Sequence, residues 1–196
     1  MMPKRAFIIH GYNSFPEEAW LPWLKAELDR KGYEAFLPAM PHPDSPTIPE
    51  WLGFISKLVG EPDHETVMVG HSLGCHAVLR YLETLGRAGK SVRKTVLVAG
   101  NFPTGMSAAE ADERTGGDRV LRPWLTTGVD PKAVRKAAGL CTVILSDNDP
   151  LMPFERAKAS FAGNLDARII VEHAKGHFNE DDHLTELPSV LTAVLA

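Results

Sequence analysis

Ser72 stands in Gly70-His71-Ser72-Leu73-Gly74, directly after the apolar run 66–69. A serine hydroxyl is a weak nucleophile at neutral pH. It attacks a carbonyl only when a base takes its proton and the backbone holds it clear of the fold. A strand turning sharply into a helix meets the second need: glycines two before and two after let the segments approach, and the helix N-terminus offers free N–H groups. The first need calls for an imidazole, and the imidazole for a carboxylate that fixes its tautomer and offsets its charge. Downstream, the run 140–145 is followed by Ser146-Asp147-Asn148-Asp149-Pro150, and the run 168–172 by His173-Ala174-Lys175-Gly176-His177-Phe178. His177, next to a glycine in a loop that can bend back, is the expected base in preference to His173. Asp147 and Asp149 are both candidates for the acid.

These residues must be positioned by something, and the chain supplies it. Strands are expected over 6–10, 33–37, 66–69, 94–99, 140–145 and 168–172. Amphipathic helices are expected over 17–31, 47–59 (opened by a Thr47–Glu50 capping box), after Ser72, after Asp130-Pro131, and over 153–161 and 184–195. Continuous apolar strands alternating with helices imply an α/β sandwich of three layers around a mostly parallel six-stranded sheet. Ligands of such sheets bind beyond the carboxyl ends of the strands, where Ser72, the acid loop and the histidine loop all fall. Serine, acid, histidine is also the chain order of the α/β-hydrolase fold. That fold places one oxyanion-hole N–H on the residue after the nucleophile, here Leu73. The other comes from the turn after the first strand, His10-Gly11-Tyr12-Asn13-Ser14, with Tyr12 the expected donor.

Bulk properties narrow the function classes. The 196 residues are 44% hydrophobic and 23% charged, the balance of one soluble domain spanning 1–196. A net charge of −4 gives no support for nucleic acid or an anionic membrane as partner, and no apolar run approaches a membrane span. The start of the chain reads as a strand rather than a signal peptide, so a cytoplasmic protein with Cys75 and Cys141 reduced is expected. Cys75 falls one helical turn past the bend, away from the nucleophile position. His183 lies in Glu180-Asp181-Asp182-His183, which lacks ligand spacing, so no metal is expected. His10 and His71 flank the proposed site, and His76 should be partly buried on the helix after it.

The segment 101–128, after the fourth strand, reads as a short, polar, glycine-containing cover. A short cover implies an open site and small ester or amide substrates. Phe102, Met106, Trp124 and Leu151, with His10, are the candidates for the pocket wall. The competing functions are a non-catalytic binding module on the same fold, and an acyltransferase or aminoacyl amidase using the same triad.

Several features, spread over essentially the whole chain, carry a resemblance. They are the glycine turn after the first strand, Trp20 and Trp23, Met40-Pro41-His42-Pro43, Gly70-His71-Ser72, Arg122-Pro123-Trp124, Asp149-Pro150 with Pro153, and Gly176-His177-Phe178. On these the sequence resembles the small α/β-hydrolase family of serine hydrolases that includes YdeN and retinoblastoma-binding protein nine. The resemblance implies Ser72 as nucleophile, Asp149 rather than Asp147 as acid, His177 as base, and a single domain with no metal or organic cofactor.

Overall fold

A computed structural model describes residues 3–196. Six strands, β1 (Lys4–Ile9), β2 (Tyr33–Phe36), β3 (Thr66–His71), β4 (Lys94–Val98), β5 (Leu140–Ser146) and β6 (Ala167–Glu172), form one sheet in the order β2-β1-β3-β4-β5-β6. Every neighbouring pair is parallel. The helices are α1 (Leu21–Arg30), α2 (Ile48–Val59), α3 (Leu73–Arg87), α4 (Ala108–Thr115), α5 (Arg122–Thr126), α6 (Pro131–Ala137), α7 (Phe154–Asn164) and α8 (Pro188–Leu195).

The strands are buried on both faces because alternate residues feed two separate cores. Phe7, Ile9, Met68, Leu97 and Val143 face α2, α3 and α7, while Ala6, Ile8, Val67, Val69, Val96 and Val98 face α1 and α8. Strand order reverses between β1 and β3, since the chain runs from β1 outward to β2 and then returns to β1's other side. The register there pairs Ile9 with Gly70, so the turn after β1 and the bend after β3 emerge side by side. At the far side Ser146 pairs with Glu172, which brings the acid and histidine loops out level.

Several expected elements shift, each for a local reason. α1 starts at Leu21 rather than near 17, because Ala19 takes a positive φ of 51° and Pro22 fits a first helical turn. Trp20 is therefore the residue before the helix and is fully buried. The Thr47 side chain makes no capping bond, and Pro49 in the first turn starts α2 instead. The last helix begins at Pro188, not 184, since the residue before a proline is pushed out of helical geometry; Leu187 is at φ −139°. A 3₁₀ turn, Glu180–Asp182, precedes it. The cover carries two helices. α4 is opened by a reciprocal capping box between Ser107 and Glu110, and α5 by Pro123.

The bend depends on two close approaches. A Cβ on Gly70 would stand 2.8 Å from the Gly74 carbonyl oxygen, and one on Gly74 would overlap the Ile9 carbonyl. Overpacking against fixed backbone costs about 1–3 kcal/mol, so Gly74→Ala should lose about 3 kcal/mol in urea unfolding. Gly53→Ala, in open space on α2, should gain about 0.5–1 kcal/mol by the same measurement.

Candidate active site

Ser72 has φ 53° and ψ −119°, a conformation that L side chains rarely adopt. It is held there by its own N–H, which donates to the Val98 carbonyl at 2.9 Å, and by the Cys75 N–H, which donates to the Ser72 carbonyl at 3.0 Å. The strained bend aims the hydroxyl at His177: Ser72 Oγ lies 2.8 Å from His177 Nε2. His177 Nδ1 lies 2.8 and 3.0 Å from the two carboxylate oxygens of Asp149. An ionised carboxylate only accepts, so Nδ1 carries the ring proton and Nε2 presents its lone pair to the serine hydroxyl. Asp149 is oriented by its own loop, with the Leu151 and Met152 N–H groups both donating to Oδ1 at 2.9 Å.

Asp147 goes elsewhere. Its Oδ1 accepts from the Ala174 N–H at 2.9 Å, and its Oδ2 pairs with Nδ1 of the exposed His173 at 2.7 Å. The Ala174 bond, then the His173 contact, lower the Asp147 pKa. The two aspartates are separated by a turn in which Asn148 Oδ1 takes the Ser146 hydroxyl (2.7 Å) and the Gly176 N–H (2.9 Å).

The carbonyls of His177 and Phe178 are gripped from the opposite direction. Trp20 Nε1–H donates to the Phe178 carbonyl at 2.9 Å, and His71 Nε2–H donates to the His177 carbonyl at 2.9 Å. Trp20 and His71 also meet edge to face, centroids 5.7 Å apart. Burial, and secondarily the neighbouring His177, push the His71 pKa down to about 3. His71 is therefore a neutral donor at all ordinary pH values. Phe178, between the two gripped carbonyls, takes φ 57°, a conformation that L side chains rarely adopt.

The first-strand turn lies against the bend: a Cβ on Gly11 would come within 3.0 Å of Ser72 Cβ. His10 fixes this turn rather than lining a pocket. Its Nε2 accepts the Met40 N–H at 3.0 Å, so Nδ1 carries the proton and donates to the Gly11 carbonyl at 3.0 Å. Burial lowers its pKa and so favours the neutral ring. The Tyr12 hydroxyl donates to Asp118 Oδ2 in the cover at 3.2 Å, while Leu73 supplies the first N–H of α3.

A cleft of about 370 Å³ opens over Ser72, with Gly11, Tyr12, Leu73 and His177 around it. Of the expected wall residues, only Leu151 borders it, 60% exposed at the rim. Phe102 and Trp124 are buried in the core beneath the cover instead, Trp124 donating to the Pro46 carbonyl at 2.9 Å and packing on Trp51. Met106 is tied within the cover by its N–H to the Leu125 carbonyl. The apolar wall is Leu73, Leu121, Leu125 and Met152, and Arg114 of α4 reaches the cleft as well. Leu121 and Leu125, four apart around Arg122-Pro123, were the sequence signal for that wall. His76 is fully buried rather than partly so, its Nδ1 lying 3.2 Å from the Trp124 carbonyl oxygen and its Nε2 3.0 Å from Asn101 Oδ1. Cys75 is buried with its pKa pushed up by desolvation, which removes it from nucleophilic chemistry.

This parallel sheet, with its strained serine at the switch point, defines the α/β-hydrolase fold. The crystal structure of the Bacillus subtilis ydeN gene product superposes with a TM-score of 0.83 at 32% identity, covering 98% of each chain. Est1E from Butyrivibrio proteoclasticus shares the fold with a TM-score of 0.71 at 19% identity, over 98% of this chain and 85% of Est1E. The chain belongs to the serine hydrolase family, whose model matches residues 6–196. By sequence it is 34% identical to the Bacillus subtilis (strain 168) protein YdeN, over 96% of this chain and 93% of YdeN. It is 26% identical to the serine hydrolase RBBP9 of Rattus norvegicus, over 98% and 96%.

Trp20→Phe keeps a ring in the core but leaves the Phe178 carbonyl without its donor. An unsatisfied buried acceptor plus lost volume costs about 2–3 kcal/mol. Urea unfolding of the variant should show that loss.

Proposed function

We propose that this hydrolase cleaves small carboxylic esters, and amides more slowly, through an acyl-enzyme on Ser72. His177 takes the serine proton through Nε2 as Oγ attacks the carbonyl carbon, and Asp149 holds the ring tautomer and offsets the imidazolium charge. The N–H groups of Leu73 and Tyr12 receive the tetrahedral oxyanion. The imidazolium returns its proton to the leaving oxygen or nitrogen. Water then enters, loses a proton to Nε2 and releases the acid. The observation that carries the proposal is the continuous relay from Ser72 Oγ to His177 to Asp149 beginning at a strained bend. A vestigial binding module has no use for the backbone strain at Ser72 or for a relay with both bonds made. The small polar-and-apolar cleft favours a short acyl group in a water-soluble substrate. A cytoplasmic setting accords with the buried, unbridged thiols of Cys75 and Cys141.

Ser72→Ala should abolish both p-nitrophenyl acetate turnover and labelling by a fluorophosphonate probe while leaving the unfolding midpoint within a degree or two. Asp149→Asn should reduce kcat by about 10⁴-fold through the wrong tautomer, whereas Asp147→Asn should stay within about threefold of wild type. Equal losses in the two aspartate variants would assign the acid wrongly.

A further inference from the structure

The cover contributes one charged side chain to the cleft, and among the described residues no carboxylate bonds it. Arg114 sits in the last turn of α4 and borders the cleft together with Ser72, Met152 and Leu121. Its one polar contact among the described residues is of Nη2 with the uncharged Met152 sulfur, and its Nη1 is buried with no partner. Two of the carboxylates nearby are already committed, and a third, Glu18, lines the same cleft with a buried Oε2 that has no hydrogen-bond partner among the described residues. Asp112 holds Arg122 through both oxygens, and Glu110 closes the capping box with Ser107. Asp149 favours the Arg114 charge through its field but makes no bond to it, its oxygens taken by His177 and by the Leu151 and Met152 N–H groups. The cation Arg156 adds to the positive field at the guanidinium.

A cation kept for the α4 dipole alone would bond the last carbonyls of the helix, and Arg114 bonds none among the described residues. Desolvation, and secondarily the neighbouring Arg156, lower its pKa, with Asp149 acting the other way. An Arg fork matches a carboxylate, and the buried Nη1 of Arg114 still has its donors to give.

We propose that Arg114 is a carboxylate subsite, so that the preferred substrates carry a free carboxylate set apart from the carbonyl that Ser72 attacks. The proposal rests on the acyl-transfer role of Ser72 for its place in turnover, and its binding half can be read without turnover. Two ester pairs test it in the full-length protein. One is mono-4-nitrophenyl glutarate against its neutral methyl ester, with the carboxylate on the acyl side. The other is 4-acetoxybenzoate against phenyl acetate, with the carboxylate on the leaving group. In one pair kcat/KM should favour the carboxylate on the order of 10- to 100-fold, the span of a charge-assisted bond to Arg. That ratio should fall to about 1 in Arg114→Met and Arg114→Gln and recover in part in Arg114→Lys; the pair that responds locates the carboxylate. In parallel, glutarate binding to the Ser72→Ala protein by calorimetry should weaken on the order of tenfold or more when Arg114→Met is added. Arg114-dependent glutarate binding without turnover of any ester would uphold the subsite and fail the esterase reading. No carboxylate preference in either pair together with glutarate affinity indifferent to Arg114 overturns the subsite, as does a preference that persists in both Arg114→Met and Arg114→Gln.

Discussion

Ser72 pays for its exposure with a backbone conformation that only surrounding packing can enforce, and that packing organises the molecule. With φ at 53°, the residue must be held by the sheet on one side and the helix on the other. The Val98 carbonyl holds its N–H, α3 packs so close to β1 that Gly74 has no room for a side chain, and Gly11 is needed where the first-strand turn touches Ser72. Strain of this kind costs about 1–3 kcal/mol. It persists because both neighbouring strands of β3 are parallel and buried, which leaves the bend no alternative route.

Burial assigns different tasks to four chemically identical rings. Burial lowers the pKa of both His10 and His71, and each uses one ring N–H to fix a backbone carbonyl, one in the first-strand turn and one at His177. Burial pushes the His76 pKa down to about 4, and the ring joins α3 to the cover. His177 is distinguished by having a carboxylate on one nitrogen and a hydroxyl on the other. Arg80 completes the attachment of the cover, donating to the Trp124 and Thr127 carbonyls.

Strand positions, the bend and the loops carrying Asp149 and His177 were legible because buried parallel strands write themselves as unbroken apolar runs ending in turn residues. The Asp147–Asn148–Asp149 turn was not decidable from spacing, since a two-residue offset leaves both carboxylates near the strand end. Their separation comes from Asn148 and Ser146 bonding across to the histidine loop. Helix α4 escaped notice because Ala-Ala-Glu-Ala-Asp-Glu-Arg-Thr has no apolar stripe; its capping box, Ser107 with Glu110, was the available sign. Phe102 and Trp124 were expected at the pocket, yet large apolar rings under a thin cover gain more by joining the core, and smaller leucines were left to line the cleft. The start of α1 was misplaced because a positive φ at Ala19 leaves no trace in hydrophobic periodicity.

The grip of Trp20 on the Phe178 carbonyl spans 158 positions of the chain. The loop that carries His177 is thus tied to a residue near the other end of the chain. What faces the Ser72 hydroxyl is set by the closure of the complete fold, not by any one segment of it.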